Sequence, residues 1–238
     1  MVQRVVLHVG CPKTGTTGIQ HQLLKNPIAL AAQGFVYPSD RPHENFLAVL
    51  DLLDLPWGPE LKEESVGAWD ALVGKVTGTD LDAIISHELL ARAMPEGIER
   101  AVKSLGDVEI SVVITARDLG RQLPAEYQEH LKHRSVMTYR LFFERLQRPD
   151  VDDFAGGHAR TTWLVQDVPA IAERWASVVG ADNVTIVTVP PSGSPRELLM
   201  QRFGEAVGFD AGQLRQVEDL VENRSLGASG IAMLRRFN

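Results

Sequence analysis

The chain has 238 residues, of which 44% are hydrophobic and 23% charged, and this composition is ordinary for a globular protein with a buried core. Its formal net charge of −7 argues against a nucleic-acid partner, so a phosphorylated ligand would need a local cluster of basic groups. A single cysteine allows no internal disulfide, and no apolar run approaches the length of a membrane span. We therefore expect a cytoplasmic protein without an integral membrane segment.

The first predicted element is a short buried strand from Arg4 to Val9, which runs into a glycine-bounded loop and then a helix beginning near Thr16. Its β-branched and apolar residues are typical of a strand buried on both faces of a parallel sheet. The loop lies between Gly10 and Gly15. Such a loop leaves unpaired backbone N–H groups at the positive end of the helix dipole, which favours an anion.

Residue types within the loop distinguish three classes of anion-binding enzyme. A nucleoside triphosphate loop has its lysine directly after the second glycine, whereas here Thr16 stands there and the lysine is Lys13. Small phosphatases use a C-x5-R loop, but Thr17 stands where that arginine would be, so we interpret Cys11 as a small apolar filler. The P-K-T-G-T-T run that begins at Pro12 resembles the 5'-phosphosulfate loop of sulfotransferases that use 3'-phosphoadenosine 5'-phosphosulfate (PAPS).

This resemblance implies that six consecutive residues bind the cofactor. They are Pro12, Lys13, Thr14, Gly15, Thr16 and Thr17. Lys13 would also be catalytic, because its charge would neutralise the negative charge that develops on the bridging oxygen. The alternative is a strand-to-helix turn without a ligand, although three threonines and a lysine exceed what such a turn needs.

The region after the first helix is predicted to hold the acceptor substrate. We expect the helix to break at Asn26–Pro27 and resume as far as a turn at Gly34, before an extended piece from Phe35 to Tyr37. Residues 38–64 are the most loop-like part of the first half, with an amphipathic segment from Phe46 to Leu55. Loops above the carboxyl edge of a sheet are where substrates bind.

Three side chains of this region are candidates for the acceptor site. His43 and Trp57 are predicted to bind the substrate, and His43 and Glu44 are rival candidates for the catalytic base. The alternatives are a solvated loop pair for His43 and Glu44, and packing against the core for Trp57.

A second buried strand, Leu81 to Ser86, is followed directly by His87 and Glu88. Its carboxyl end should lie on the same edge of the sheet as the first loop. His87 resembles the catalytic histidine that many cytosolic sulfotransferases carry at the end of this strand, and Glu88 would orient it or act as the base itself. The alternative is that Ser86 caps a helix whose first turn contains Glu88.

A third strand, Val108 to Thr115, leads to Arg117 and a helix. This arrangement resembles the 3'-phosphate element of sulfotransferases, in which an arginine at the strand end binds the 3'-phosphate of the cofactor in a bidentate manner. The family commonly has a serine eight residues later, where this chain has Ala125, so Gln122 or Arg121 would replace that contact. The alternative for Arg117 is an ion pair with Asp118 or with a carboxylate at the start of the helix.

The rest of the chain supplies weaker signals. Four side chains of the helix after Arg117 have metal-ligand spacing, but interleaved Lys132 and Arg134 favour a solvated, mixed-charge face; the four are Glu126, Glu129, His130 and His133. An acidic loop containing Asp152 and Asp153 has turn chemistry. Further elements are a helix from Thr138 to Leu146, a helix beginning at Asp167, a strand from Val184 to Val189 and a final helix pair. Arg224, in a turn within that pair, is a second candidate for the 3'-phosphate.

These elements predict one α/β domain over residues 1–238, a three-layer P-loop-like fold with a central parallel sheet of four or five strands. The resemblance is strongest to bacterial, actinomycete-type sulfotransferases, which implies sulfuryl transfer from PAPS, without a metal, to a hydroxyl or amine. The acceptor would be a small molecule, a lipid or a carbohydrate, and the nucleotide product 3',5'-adenosine bisphosphate. Such proteins continue beyond the basic segment where this sequence stops, so we expect the C-terminal helical part to be shortened.

Two other functions fit the same residues. One is a nucleotide kinase or NTPase with a divergent phosphate loop, which would depend on Mg²⁺. The other is a protein that binds the nucleotide without catalysis.

Overall fold

A computed structural model describes residues 2–148, 158–217 and 227–238. Its centre is a five-stranded sheet in which every pairing is parallel and the strand order is β2-β3-β1-β4-β5. The strands are β1 (Arg4–His8), β2 (Phe35–Val36), β3 (Asp82–Ser86), β4 (Glu109–Ala116) and β5 (Val184–Thr188). The predicted α/β fold with four or five parallel strands is confirmed.

Helices connect the strands and cover both faces of the sheet. In the described part of the chain they are α1 (Thr16–Lys25), α2 (Pro27–Ala31), α3 (Glu44–Leu53), α4 (Pro59–Ser65), α5 (Ala68–Thr77), α6 (Pro95–Leu105), α7 (Leu119–Lys132), α8 (Tyr139–Leu146), α9 (His158–Gln166), α10 (Val168–Val179), α11 (Leu198–Val207) and α12 (Ala228–Phe237). Short 3-10 helices lie at Glu88–Arg92, Ala181–Asn183 and Ala211–Gln213. None of the helices described is both long and apolar enough to span a bilayer.

Local sequence signals account for several helix boundaries. The first helix breaks before Pro27, as predicted, because proline begins a helix well and cannot continue one. Asp167 caps α10, since its side chain accepts a hydrogen bond from the N–H of Ala170 at 3.1 Å. The amphipathic segment predicted from Phe46 to Leu55 forms α3, and the rest of the loop-like region 38–64 also contains α4, which the sequence does not predict.

Alternating residues of the strands bury opposite faces of the sheet. On one face, Val5 and Leu7 of β1 pack with side chains of α3, α5, α6 and α10. On the other face, Val6 packs with side chains of α1, α2 and α11. A smaller apolar cluster joins α7, α8, α9 and α12 beyond the sheet. Burial on both faces explains why β1, β3 and β4 are almost continuous apolar runs in the sequence, whereas β5 is largely exposed.

The register places the ends of three strands at one edge of the sheet. β1 lies between β3 and β4, and His8 is paired with Ser86 on one side and Val113 on the other. Beyond β1 the backbone still follows β4, because the N–H of Cys11 donates to the carbonyl of Thr115 at 3.1 Å. The segments that follow β1, β3 and β4 therefore lie at one edge of the sheet, at the point where the strand order reverses. This is where α/β sheets bind ligands.

The packing of α1 against the sheet predicts a large loss of stability for Leu23→Ala. Leu23 is 0% exposed, and its truncation should lower the free energy of unfolding by about 2–5 kcal/mol because a cavity remains. Ile28→Ala in α2 is the control, since Ile28 is 85% exposed and its truncation should cost at most about 0.5 kcal/mol. Equilibrium unfolding in urea measures both values. Equal losses would contradict the placement of Leu23 in the core.

Candidate active site

The loop between β1 and α1 has the backbone conformation of an anion-binding turn. Lys13 and Gly15 have positive φ values of 67° and 87°, so successive peptide groups turn towards one side. Gly15 precedes α1 without a side-chain cap. Among the described residues, no hydrogen-bond partner is found for the backbone N–H groups of residues 13–17. These groups, at the positive end of a helix dipole, are available to an anion.

The hydroxyl of Thr14 holds the loop together from inside. Thr14 is buried, and its Oγ1 donates to the carbonyl of Cys11 at 2.6 Å and lies 2.8 Å from Thr115 Oγ1 of β4. Thr17, by contrast, is exposed, and Thr16 is buried. Binding of the cofactor by these threonines stays a prediction, and for Thr14 the group left for an anion is its backbone N–H.

The Cys11 side chain is a buried filler, as the sequence suggested. It is 1% exposed and belongs to the core cluster on one face of the sheet. Burial raises the pKa of its thiol to about 12, so the thiolate required of a nucleophile is suppressed.

Lys13 is paired with a carboxylate of α7. Its Nζ lies 2.7 Å from Glu129 Oε2, and Lys132 contacts the same carboxylate at 3.3 Å. Burial alone would raise the pKa of Glu129, but the hydrogen bonds and charges of the two lysines hold it below its usual value. Any anion that binds Lys13 would therefore compete with Glu129 for its ammonium group.

The predicted solvated, mixed-charge face of α7 is correct at its C-terminal end, where Lys132 and His133 are exposed, and wrong at Glu126. Glu126 is largely buried beside Gln166, whose Nε2 donates to it at 3.3 Å, and the charge of Lys13 acts on it. Burial is the main reason that the pKa of Glu126 is raised, and the negative charge of Glu129 adds to it. The available sequence signal was the spacing of Gln122, Glu126 and Glu129, which places the three on one helix face opposite the loop.

Gln122 contacts the loop directly. Its side chain is 1% exposed, and its Nε2 donates to the carbonyl of Pro12. Its Oε1 is buried without a hydrogen-bond partner among the described residues. The predicted contact of Gln122 with a 3'-phosphate therefore stays a prediction, while its contact with the loop is direct.

Arg117 is a cationic group at the carboxyl end of β4. The predicted alternative of an ion pair with Asp118 is wrong, because Asp118 pairs with Arg121 instead. Arg117 Nε is buried without a partner among the described residues. Burial is the main cause of its lowered pKa, and the positive charge of Arg121 adds to it. A buried donor of a cationic group that has no hydrogen-bond partner is costly unless a bound anion accepts from it.

Arg224, the second candidate for the 3'-phosphate, lies outside the described residues, as do Asp152 and Asp153.

His87 follows β3 and caps the 3-10 helix after it. Its Nδ1 accepts a hydrogen bond from the N–H of Leu89 at 3.2 Å, so the neutral ring carries its proton on Nε2. The predicted alternative, in which Ser86 caps this helix, is wrong in the identity of the cap. Burial lowers the pKa of His87, and the charge of Glu88 acts in the opposite direction.

Aromatic contacts join His87 to the region predicted to hold the acceptor. The ring of Phe46 in α3 lies 5.4 Å from that of His87 and 5.9 Å from that of Trp57, centroid to centroid. Trp57 is 42% exposed, and it packs on Phe46, which in turn packs against the core cluster, so its contacts also fit the alternative of packing against the core. Its predicted role in acceptor binding, like that of His43, stays a prediction.

The rival bases His43 and Glu44 occupy the start of α3. His43 is exposed. Glu44 lies 2.8 Å from Lys75 Nζ and accepts from the N–H of Asp40 at 2.9 Å. Burial would raise the pKa of Glu44, but these bonds and the charge of Lys75 lower it, which makes Glu44 a poor proton acceptor.

The close packing around Gly10 predicts that Gly10→Ala damages the loop. An added Cβ would lie 2.5 Å from Thr16 Oγ1 and 2.8 Å from Thr115 Oγ1, so we expect a loss of about 1–3 kcal/mol in unfolding free energy. Gly18→Ala is the control in α1, where nothing lies within 4 Å of an added Cβ, and it should stabilise the helix by about 0.5–1 kcal/mol. Thermal and urea unfolding measure both. A neutral effect of Gly10→Ala would refute this packing.

Comparison with solved structures places the whole chain within a known architecture. It aligns with the crystal structure of a sulfotransferase from Alicyclobacillus acidocaldarius over 100% of its own length and 92% of that chain, with a TM-score of 0.55 and 15% identity. A sulfotransferase domain from the curacin biosynthetic pathway aligns over 98% and 82% of the two chains, with a TM-score of 0.43 and 9% identity. No protein-family model and no curated protein matches the sequence. The Alicyclobacillus alignment shows that this chain has a sulfotransferase-type fold.

Proposed function

We propose that this protein transfers a sulfuryl group from PAPS to a hydroxyl or amine of a small-molecule, lipid or carbohydrate acceptor. The observation that carries the proposal is the buried, unpartnered Nε of Arg117 at the same sheet edge as the N–H groups of residues 13–17. Two separate anion receptors on neighbouring strands suit a nucleotide with anionic groups at two positions of its ribose. The sulfotransferase-type fold and the P-K-T-G-T-T loop support the same donor.

The two receptors would divide the donor between them. The loop N–H groups, with Thr16 and Thr17, would hold the 5'-phosphosulfate, because they combine unpaired donors with a helix N-terminus. Arg117 would bind the 3'-phosphate, since a guanidinium presents a fork of donors that matches phosphate oxygens. Arg224 is a further candidate for the 3'-phosphate on its sequence position alone.

Bound PAPS would supply a sulfuryl group attached to a phosphate leaving group. In the transfer, the bond from sulfur to the bridging oxygen breaks, a bond from sulfur to the acceptor forms, and adenosine 3',5'-bisphosphate leaves. Lys13 would stabilise the negative charge on the bridging oxygen after it exchanges Glu129 for the ligand. Glu129 then keeps Lys132 as its partner, which limits the cost of the exchange.

The proton of the acceptor would pass to His87. The basic lone pair of its neutral ring is on Nδ1, which now accepts from Leu89, so the ring has to leave this cap before it can take a proton. Glu88 would assist because its charge offsets the penalty that burial imposes on the imidazolium. Phe46 and Trp57 would supply an apolar surface for the acceptor next to this base.

The two competing functions make different demands on the same loop. A kinase or NTPase needs a lysine after the second glycine, and Thr16 stands at that position. A protein that only binds the nucleotide needs the loop and Arg117 but has no use for His87. Preference for ATP over adenosine 3',5'-bisphosphate would distinguish a kinase or NTPase from a sulfotransferase. Turnover of an acceptor would distinguish a sulfotransferase from a protein that only binds the nucleotide.

We predict that adenosine 3',5'-bisphosphate stabilises the protein and that ATP with Mg²⁺ does not. A ligand at 100 times its dissociation constant adds about 2.7 kcal/mol, which raises Tm by roughly 5–10 °C for a chain of this size. Arg117→Ala should weaken binding roughly 10- to 100-fold, since it removes charge-assisted hydrogen bonds to the 3'-phosphate. Thermal-shift titration measures each of these effects.

Arg140→Ala is the matched control for this titration, because Arg140 is exposed and pairs with Glu144 on α8. It should bind the bisphosphate as the unaltered chain does. Stabilisation by ATP with Mg²⁺ alone would favour the kinase or NTPase, and an Arg117→Ala variant with unchanged affinity would remove Arg117 from the site.

We further predict that His87 sets the acidic limb of the pH profile. Only the neutral ring accepts a proton, so the rate should rise with pH through the pKa of His87 and reach a plateau above it. Because burial lowers this pKa, the midpoint should lie below about 6.5. Transfer of ³⁵S from PAPS to a panel of phenols, alcohols, sugars and amines measures the profile with any member that reacts.

Separate variants of the two adjacent side chains distinguish their roles. His87→Asn should lower the rate by about 10²–10⁴ and abolish the limb. Glu88→Gln should keep most of the activity and move the limb to lower pH, because the carboxylate charge raises the pKa of His87. The opposite pattern, with His87→Asn active and Glu88→Gln inactive, would make Glu88 the base.

A further inference from the structure

A continuous chain of buried polar groups links the ends of β3, β1 and β4 to the loop. His8 Nδ1 lies 2.7 Å from Ser86 Oγ, and His8 Nε2 lies 3.2 Å from Thr115 Oγ1. Thr115 Oγ1 in turn lies 2.8 Å from Thr14 Oγ1, which donates to the carbonyl of Cys11 at 2.6 Å. The four side chains linked in this way are all 0% exposed: His8, Thr14, Ser86 and Thr115. None of these bonds is used by the transfer reaction described above.

The direction of each of these four hydrogen bonds follows from counting the protons that the side chains can donate. A carbonyl only accepts, so the single hydroxyl proton of Thr14 goes to Cys11. Thr14 must then accept from Thr115, whose one proton is thereby used. Thr115 can therefore only accept from His8, which requires a proton on Nε2.

The remaining ring nitrogen fixes the other end of the chain. A neutral ring with its proton on Nε2 presents a lone pair at Nδ1, and Ser86 Oγ donates to it. His8 is neutral, because burial, with a smaller contribution from the charge of His87, lowers its pKa to about 3. The four side chains thus form one directed series: Ser86 to His8, His8 to Thr115, Thr115 to Thr14, and Thr14 to the carbonyl of Cys11.

We propose that His8 is a positioning residue of the phosphate loop. As the Nε2–H tautomer it passes a one-directional series of hydrogen bonds across three strands to Thr14, and this series holds the loop in its anion-binding conformation. Two features of the ring explain the choice of residue. It reaches hydroxyls on both neighbouring strands at once, and it donates on one side while it accepts on the other.

The same arrangement excludes His8 from proton transfer. Every proton in the series is already committed to a bond, and the ring has no exposed surface through which it could meet an acceptor substrate. Its contribution is therefore rigidity: Thr14 cannot rotate without leaving buried hydroxyls unpaired, which is costly. Gly10 is part of this packing, because a Cβ there would displace Thr115 Oγ1 and Thr16 Oγ1.

The tautomer is tested without any ligand or activity. Long-range ¹H–¹⁵N NMR of the intact chain at pH 7 should show for His8 a protonated, pyrrole-type Nε2 and an unprotonated, pyridine-type Nδ1, with His8→Gln used to assign the signal. A proton on Nδ1, or an imidazolium, would overturn the proposed series.

The effect on the loop is tested with two nucleotides. This binding experiment rests on the proposed function, in which the loop holds the 5'-phosphate and Arg117 holds the 3'-phosphate. Thr115→Val keeps the shape of the side chain but removes the hydroxyl between His8 and Thr14. It should weaken adenosine 3',5'-bisphosphate about tenfold and leave adenosine 3'-monophosphate, which lacks the 5'-phosphate, unchanged. Isothermal titration calorimetry measures both affinities.

Thr162→Val is the control, because Thr162 is also buried but lies in α9, outside the series. It should leave the ratio of the two affinities unchanged, whereas general destabilisation would lower both affinities together. An unchanged ratio in Thr115→Val, measured on folded protein, would overturn the positioning role. Failure of the unaltered chain to bind either nucleotide would instead overturn the proposed function, and the NMR result would still decide the tautomer.

Discussion

The parallel pairing of β1 with both β3 and β4 is the constraint on which the rest of the site depends. It brings the carboxyl ends of three strands to one edge, so that His87, the loop after β1 and Arg117 lie at the same edge of the sheet although they are far apart in sequence. The three strands β1, β3 and β4 are buried over most of their length, so the polar side chains that can meet a ligand lie mainly in the segments that follow them. The candidate site residues therefore lie directly after the apolar strands.

The two cationic side chains at this edge of the sheet differ in whether a carboxylate pairs with them. The chain as a whole is acidic, yet Lys13 and Arg117 both lie at this edge of the sheet, after β1 and β4. Lys13 is neutralised by Glu129, whereas Arg117 Nε has no described partner. A dianionic ligand would satisfy Arg117 directly and compete with Glu129 for Lys13, so recognition of the two ends of such a ligand carries different electrostatic costs.

Long-range packing explains where the sequence-based interpretation was wrong. The α7 face containing Glu126 was interpreted as solvated because its charges alternate in sequence. It is covered because α7 crosses the loop after β1, and no local pattern encodes that crossing.

The sequence by itself determined the elements whose signals are local: the apolar strands, the break at Pro27, the glycine-bounded loop with Lys13, and Arg117 directly after a strand. Only the tertiary structure decided how side chains far apart in sequence meet. The pairing of Lys13 with Glu129, the cap formed by His87, and the position of His8 between Ser86 and Thr115 all join different elements. Hydrogen bonds form over about 3 Å, so their partners are fixed by strand register and helix placement, which a single sequence does not specify at that precision.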